Sequence, residues 1–542
     1  MNRRNFLRIG IAGTGMLIGE QAMAAAETPP APGKRRVEVA EASIAELRAA
    51  MDAGAVNAAG LVKAYLARIR SIDQAGPRIN SIIELNPDAQ SIAVALDRER
   101  KAKGPRGPLH GIPVLLKDNI ATADRMQTTA GSLALVGATP PRDAFLVSRL
   151  RDAGAVILGK TNLSEWANIR STRSTSGWSA RGGLTRNPYA LDRNTSGSSS
   201  GSAAAIAASL ASVAVGTETD GSIVSPSSIN GLVGIKPTVG LVSRSGIIPI
   251  SHSQDTAGPM TRTVADAAAL LTVLAASDPR DAATAGAAGN SADYTRFLDV
   301  DGLKGARIGV VRANFGGRND LASALVESAL QVLADKGATL VDPVQLPAGA
   351  SFEAAELDVL LTEFKVDLAA YLAEYAPGSN IRTLADVIAF NERHRDREMR
   401  YFGQELFLRA QVTAGLDTAQ YRDALATCRR VARAEGIDRA LREHRLDALV
   451  APSNTPAWLT DFIRGDNSGE DFSSPAAVAG YPHITVPAGR VQGLPVGISF
   501  VGGAWSEATL IRLAYAYEQA SRQRQAPTFA RTVNPQSAQD RN

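Results

Sequence analysis

Five consecutive apolar residues, Ile112-Pro113-Val114-Leu115-Leu116, stop at Lys117-Asp118-Asn119. A run that is apolar at every position reads as a strand covered on both faces, with Pro113 tolerated near its start. Such a strand delivers Lys117 to its end inside a low-dielectric interior, and Asp118 and Asn119 then begin a loop. Elsewhere the period is helical. Ser43-Ile44-Ala45-Glu46 has the form of a capping box opening the first helix, and Leu61, Val62, Tyr65, Leu66 and Ile69 mark an apolar face at helical spacing. The alanines from Ala203 to Ala208 predict a helix whose N-terminus points at the Gly/Ser-rich segment before it. Residues 351–399 read as further helices, Leu510 to Gln519 as a late one, and Ala282 to Asp293 as a small-residue loop.

The candidate chemistry lies between these elements. Gly197-Ser198-Ser199-Ser200-Gly201-Ser202 is followed by Thr219-Asp220-Gly221-Ser222-Ile223. A serine hydroxyl becomes a useful nucleophile toward a resistant carbonyl only when a nearby base takes its proton. A lysine can be that base if it is neutral. That requires its pKa to fall from about 10.4 to about 7 or 8, which burial supplies. A rival motif overlaps the first loop, because Gly197-Ser198-Ser199-Ser200-Gly201 fits the nucleophile elbow G-x-S-x-G with Ser199 at its centre. His252, His394, His444 or His483 could complete such a triad. The elbow needs a strand immediately before it, whereas Thr185 to Ser196, with Asn187-Pro188 and Asp192-Arg193-Asn194, reads as loop. A phosphate-binding loop is disfavoured, since alanines follow Ser202 where that motif requires a lysine.

Taken together, the lysine strand, the serine loop and Thr219-Asp220-Gly221-Ser222 resemble the amidase signature family. The likeness runs along most of the chain. It continues through Gly159-Lys160-Thr161-Asn162-Leu163-Ser164-Glu165-Trp166, Asn187-Pro188-Tyr189, Gly234-Ile235-Lys236-Pro237-Thr238 and Asp255-Thr256-Ala257-Gly258-Pro259. Near the C-terminus it reappears in Tyr481-Pro482-His483-Ile484-Thr485-Val486-Pro487 and Gly493-Leu494-Pro495-Val496-Gly497. Within the family, Thr219 to Met260 is most similar to bacterial peptide amidases, which remove the amide from peptide C-termini.

The resemblance implies an α/β fold, a single large α/β/α domain around a mixed β-sheet spanning residues 40–525 and carrying helical inserts. It implies a Ser-Ser-Lys triad of Lys117, Ser198 and Ser222. Ser222 attacks the carbonyl, Ser198 relays the proton to Lys117, and a non-proline cis peptide holds Ser198. The backbone amides of Thr219, Asp220, Gly221 and Ser222 meet the oxyanion. Four positions depart from the family pattern: Ser200 and Asp220 replace glycines, and Val224-Ser225 replaces an arginine and a bulky apolar residue. They flank the reacting serines, so they bear on substrate choice.

Composition adds constraints of its own. The chain is 45% hydrophobic and 21% charged over 542 residues, enough for a large core. Arg3-Arg4-Asn5-Phe6-Leu7-Arg8 before the apolar run Ile9 to Gly19 resembles a twin-arginine export signal, too short to span a membrane. Cleavage after Ala22-Met23-Ala24 predicts a signal peptide over 1–24, a flexible lead-in over 25–39 and a periplasmic or secreted protein that carries no membrane anchor after cleavage. A flexible tail is expected over 526–542. Removing Arg3, Arg4, Arg8 and Glu20 lowers a net charge that is only +4, giving no case for nucleic acid. Arg393-His394-Arg395-Asp396-Arg397 reads as a solvated face. The single Cys428 allows no internal disulfide, and no histidine or cysteine cluster has metal-ligand spacing, so neither cofactor nor metal is expected. The expected partner is a small-molecule or peptide amide. A different class stays open: one family branch supplies the amidase component of a tRNA-dependent amidotransferase, so a non-catalytic binding role within a larger assembly is the alternative, against which the export signal argues.

Overall fold

Lys117 is the last residue of a strand in which all five positions are buried, as the apolar run predicts, although the strand begins at Pro113 rather than Ile112. The structure is a computed structural model and describes residues 37–315, 320–469 and 471–533. The export signal, its cleavage site and residues 534–542 lie outside the described residues.

In chain order the strands are β1 (Ile82–Leu85), β2 (Pro113–Lys117), β3 (Val156–Thr161), β4 (Trp178–Ser179), β5 (Gly183–Leu184), β6 (Val213–Glu218), β7 (Val233–Lys236), β8 (Thr256–Thr261), β9 (Arg307–Val311), β10 (Thr339–Val344), β11 (Ala448–Pro452), β12 (His483–Val491) and β13 (Leu494–Val501). Eleven of them form one sheet in the order β1-β3-β2-β6-β8-β7-β12-β13-β11-β9-β10, while β4 and β5 pair with each other. β2 runs parallel to β3 and β6, β9 parallel to β10 and β11, and the remaining neighbours in the sheet are antiparallel. This is the mixed sheet of an α/β fold, with helices packed around it. Its central strands are buried along their whole length, which explains why β2, β6 and β13 carry apolar residues on both faces.

Two helices set up the region of the serines. Ser200–Ala207 is buried at every residue and is almost entirely small. A helix with no polar face can sit only between other elements, and small side chains let it approach closely. At Gly201 a Cβ would lie 2.4 Å from the carbonyl oxygens of both Ser81 and Asn162. The second helix, Val224–Ile229, starts directly after the turn that carries Ser222.

Some elements differ from the sequence reading. Ser43 does cap Ile44–Asp52 in a complete capping box with Glu46. The apolar face from Leu61 to Tyr65 belongs to a separate helix, Ala58–Arg68, whose cap is Asn57, and Ile69 opens a π-helical turn. Ala282 to Asp293 is not a plain loop: it contains the short helical segments Ala282–Gly286 and Ala287–Asn290, the first capped by Asp281. Arg393 to Arg397 is exposed, as predicted. In the stretch read as a tail, the Phe529 amide donates to the Pro188 carbonyl and the Leu191 amide donates to the Ala530 carbonyl.

Candidate active site

Three adjacent strands bring the candidate residues together. β2 ends at Lys117 and β6 ends at Glu218, one residue before the turn Thr219-Asp220-Gly221-Ser222. β8 pairs with β6 so that Thr256 lies opposite Glu218. The Ser200–Ala207 helix places Ser198 and Ser199 at its N-terminal end.

Lys117 and Ser198 are fully buried, and Lys117 Nζ lies 2.7 Å from Ser198 Oγ. Nζ also lies 3.2 Å from the Thr217 carbonyl and 2.9 Å from Thr217 Oγ1, which in addition accepts from Asn119 Nδ2. A neutral amine has two N–H groups and one lone pair. Two acceptors on Thr217 and one hydroxyl on Ser198 match that inventory. Burial pushes the Lys117 pKa down to about 7, against the opposing pull of the Asp255 and Glu218 carboxylates. The peptide bond between Gly197 and Ser198 is cis, as the resemblance implied.

Ser222 is 8% exposed, and its hydroxyl has no hydrogen-bond partner among the described residues, Ser198 Oγ included. Its carbonyl accepts from the Ser199 amide at 3.2 Å, tying the turn 219–222 to the start of the Ser200–Ala207 helix. Gly221 has φ +80°, a left-handed conformation that a Cβ would strain and that lets the turn close tightly. The amides of Asp220 and Ser222 have no acceptor among the described residues. The Gly221 amide is among the backbone donors that lower the pKa of the Glu218 carboxylate.

Glu218 is a residue that the sequence reading did not single out. Buried at the end of β6, it accepts from the amides of Ile223 at 2.6 Å and Val224 at 2.9 Å, clamping the backbone on the far side of Ser222. Burial raises its pKa, while Lys236 and these amides pull it down. Lys236, itself lowered to about 8 by burial, sits at the end of β7. A carboxylate four residues before a candidate nucleophile was the available signal.

The rival elbow loses its geometry. Ser199 is fully buried, its hydroxyl donates to the Thr217 carbonyl at 3.1 Å, and the segment before it contains isolated bridges but no strand. None of the histidines is hydrogen-bonded to it. His483 meets Ser499, and His252 meets Asp367. His252, Glu363 and Asp367 do bring possible metal-ligand atoms within 4.8 Å of one another, from positions that sequence spacing could not connect. Each imidazole nitrogen faces a different carboxylate, Nδ1 to Asp367 at 2.8 Å and Nε2 to Glu363 at 3.3 Å, so the ring bridges two acids.

The polar departures from the family pattern are each hydrogen-bonded. Ser200 Oγ donates to the Ser196 carbonyl at 2.6 Å. Asp220 accepts from the hydroxyls of Ser473 and Ser474. Ser225 Oγ lies 2.8 Å from Ser196 Oγ and accepts from Asn454 Nδ2 at 2.8 Å. Asp220 and Ser225, on either side of Ser222 in the sequence, remain partly exposed.

Comparison with known proteins gives the family of the chain. The family model described as Amidase matches residues 60–511. A probable amidase of Arabidopsis thaliana is 44% identical over 502 residues, covering 91% of this chain and 92% of the relative. The crystal structure of native peptide amidase from Stenotrophomonas maltophilia is similar at 55% identity and a TM-score of 0.86, covering 90% of this chain and 99% of that one. The crystal structure of an amidase family protein from Bacillus anthracis is similar at 38% identity and a TM-score of 0.82, covering 90% of this chain and 93% of that one.

Proposed function

Since this chain belongs to the amidase family and is an amidase hydrolysing C–N bonds, we propose that it works through a Lys117-Ser198-Ser222 triad on carboxamides, including the C-terminal amides of peptides. The observation that carries this reading is the fully buried contact of 2.7 Å between Lys117 Nζ and Ser198 Oγ, with the lysine pKa pushed down to about 7.

Neutral Lys117 accepts the Ser198 proton as Ser198 accepts that of Ser222, and Ser222 Oγ bonds to the amide carbon. The negative charge on the carbonyl oxygen is met by amides of the turn 219–222, of which those of Asp220 and Ser222 are unengaged. Lys117, now an ammonium, returns its proton through Ser198 to the departing nitrogen, breaking the C–N bond and leaving an ester on Ser222. Water then attacks the ester by the same proton route, releasing the acid and restoring Ser222. Catalytic contacts tighten when substrate binds, which accommodates the unpartnered Ser222 hydroxyl. The peptide substrate class is supported by the likeness to peptide amidase.

The test is ammonia release from an amidated dipeptide. Ser222→Ala and Lys117→Ala should each lose at least about 1,000-fold in kcat/KM, with Ser199→Ala retaining activity within about tenfold. Loss at Ser199 with Ser222 spared would sink the triad in favour of the elbow.

A further inference from the structure

Thr217, whose side chain touches Lys117, and Thr219, which opens the nucleophile turn, are two residues apart at the end of β6. They therefore lean to the same side. β8 approaches in the opposite direction with Thr256 opposite Glu218, so the residue before it, Asp255, arrives opposite Thr219. There Asp255 Oδ1 accepts from Thr219 Oγ1 at 2.6 Å, and Oδ2 accepts from the amides of Ile250 at 2.8 Å and Ser251 at 2.9 Å. A buried carboxylate is thus fastened to the first residue of the turn that carries Ser222. Its other side lines a cavity of about 250 Å³ shared with Arg244, His252 and Tyr371. The mechanism above assigns it nothing.

We propose that Asp255 is a positioning residue for amide hydrolysis: it fixes Thr219, and with it the oxyanion amides, while its charge steadies the ammonium that Lys117 becomes. This rests on the Lys117-Ser198-Ser222 reading. The charges around the pair are few. Lys117 feels Asp255 first among charges, then Glu218. Burial raises Asp255 to about 6, against the Thr219 hydroxyl, the Ile250 and Ser251 amides and, less strongly, Arg244, which is itself paired with Asp281. Across the cavity stand His252, held by Asp367 and Glu363, Arg280, held by Asp278, and Glu374. Asp255 is therefore the negative group that both touches the nucleophile turn and acts on the lysine from β8.

Asp255→Asn keeps the size and one acceptor oxygen but removes the charge. A negative neighbour raises a lysine pKa, so losing it must lower that pKa and move the acid limb of the kcat/KM profile to lower pH, by about 0.5 units or more. kcat should fall at least about tenfold with KM within about threefold. Thr219→Val keeps the carboxylate and breaks only the hydrogen bond, so kcat should fall while the acid limb moves less than in Asp255→Asn. A purely structural role would lower stability without moving the limb. An Asp255→Asn limb that coincides with wild type overturns the proposal, as does unchanged kcat in Thr219→Val, which decides the matter if Asp255→Asn does not fold. Failure of the underlying reading looks different: wild type inactive on the amidated dipeptide, or Ser222→Ala still active.

Discussion

An exposed lysine holds its proton at neutral pH, with a pKa of about 10.4. Lys117 has no exposure, and desolvation brings it to about 7. The proposed triad needs Lys117 as a neutral base, so kcat/KM should rise with pH and level off above an acid limb near pH 7. Below that limb it should drop about tenfold per unit. A profile whose limb lies near pH 10 would show that Lys117 stays charged and cannot be the base. At this scale the candidate residues were legible because their chemistry comes with local context: an apolar run ending in a lysine, serines between glycines, and Gly221 before Ser222. Thr217, Glu218 and Asp255 were not legible in those roles. What they do depends on which strands become neighbours, and β2, β6 and β8 come from separate parts of the chain.

Elements were read best where one residue type governs them. The all-apolar run forms β2, and the alanine run forms the buried helix Ser200–Ala207. Boundaries were harder. The apolar face from Leu61 was read without a start of its own, whereas Asn57 opens a separate helix by accepting from the Gly60 amide at 2.9 Å. Asparagine caps because its side-chain oxygen supplies an acceptor that the helix start lacks, and removing it costs about 1 kcal/mol. Asn57→Ala should therefore lower the unfolding free energy by about that amount in urea titration and leave kcat unchanged, since the cap touches none of the reacting groups. A change in kcat would mean that the helix Ala58–Arg68 bears on the site. The small-residue stretch from Ala282 misled in the other direction, because Asp281, just outside it, caps a helical turn that alanine and glycine alone did not announce.

For the whole molecule, the fold class and the mixed sheet followed from the family likeness, while the order of eleven strands did not follow from any pattern along the chain. Strand order is decided by which faces bury each other, and it places β12 and β13, read only as late family motifs, beside β7 near the middle of the sheet. Cys428 is buried and is the sole cysteine, so the core carries the stability without covalent ties. One consequence concerns how the enzyme fails. Lys117, the Ser222 turn and Asp255 hang from hydrogen-bonded neighbours β2, β6 and β8, and from no hinge or surface loop. Local opening of a surface helix then leaves the reacting distances intact, whereas anything that parts those strands parts the whole sheet. Activity should behave as a gauge of global unfolding: in a urea series the midpoint for lost turnover should coincide with that of far-ultraviolet circular dichroism, and turnover that vanishes well before the sheet signal would show the site to be a separate, softer region.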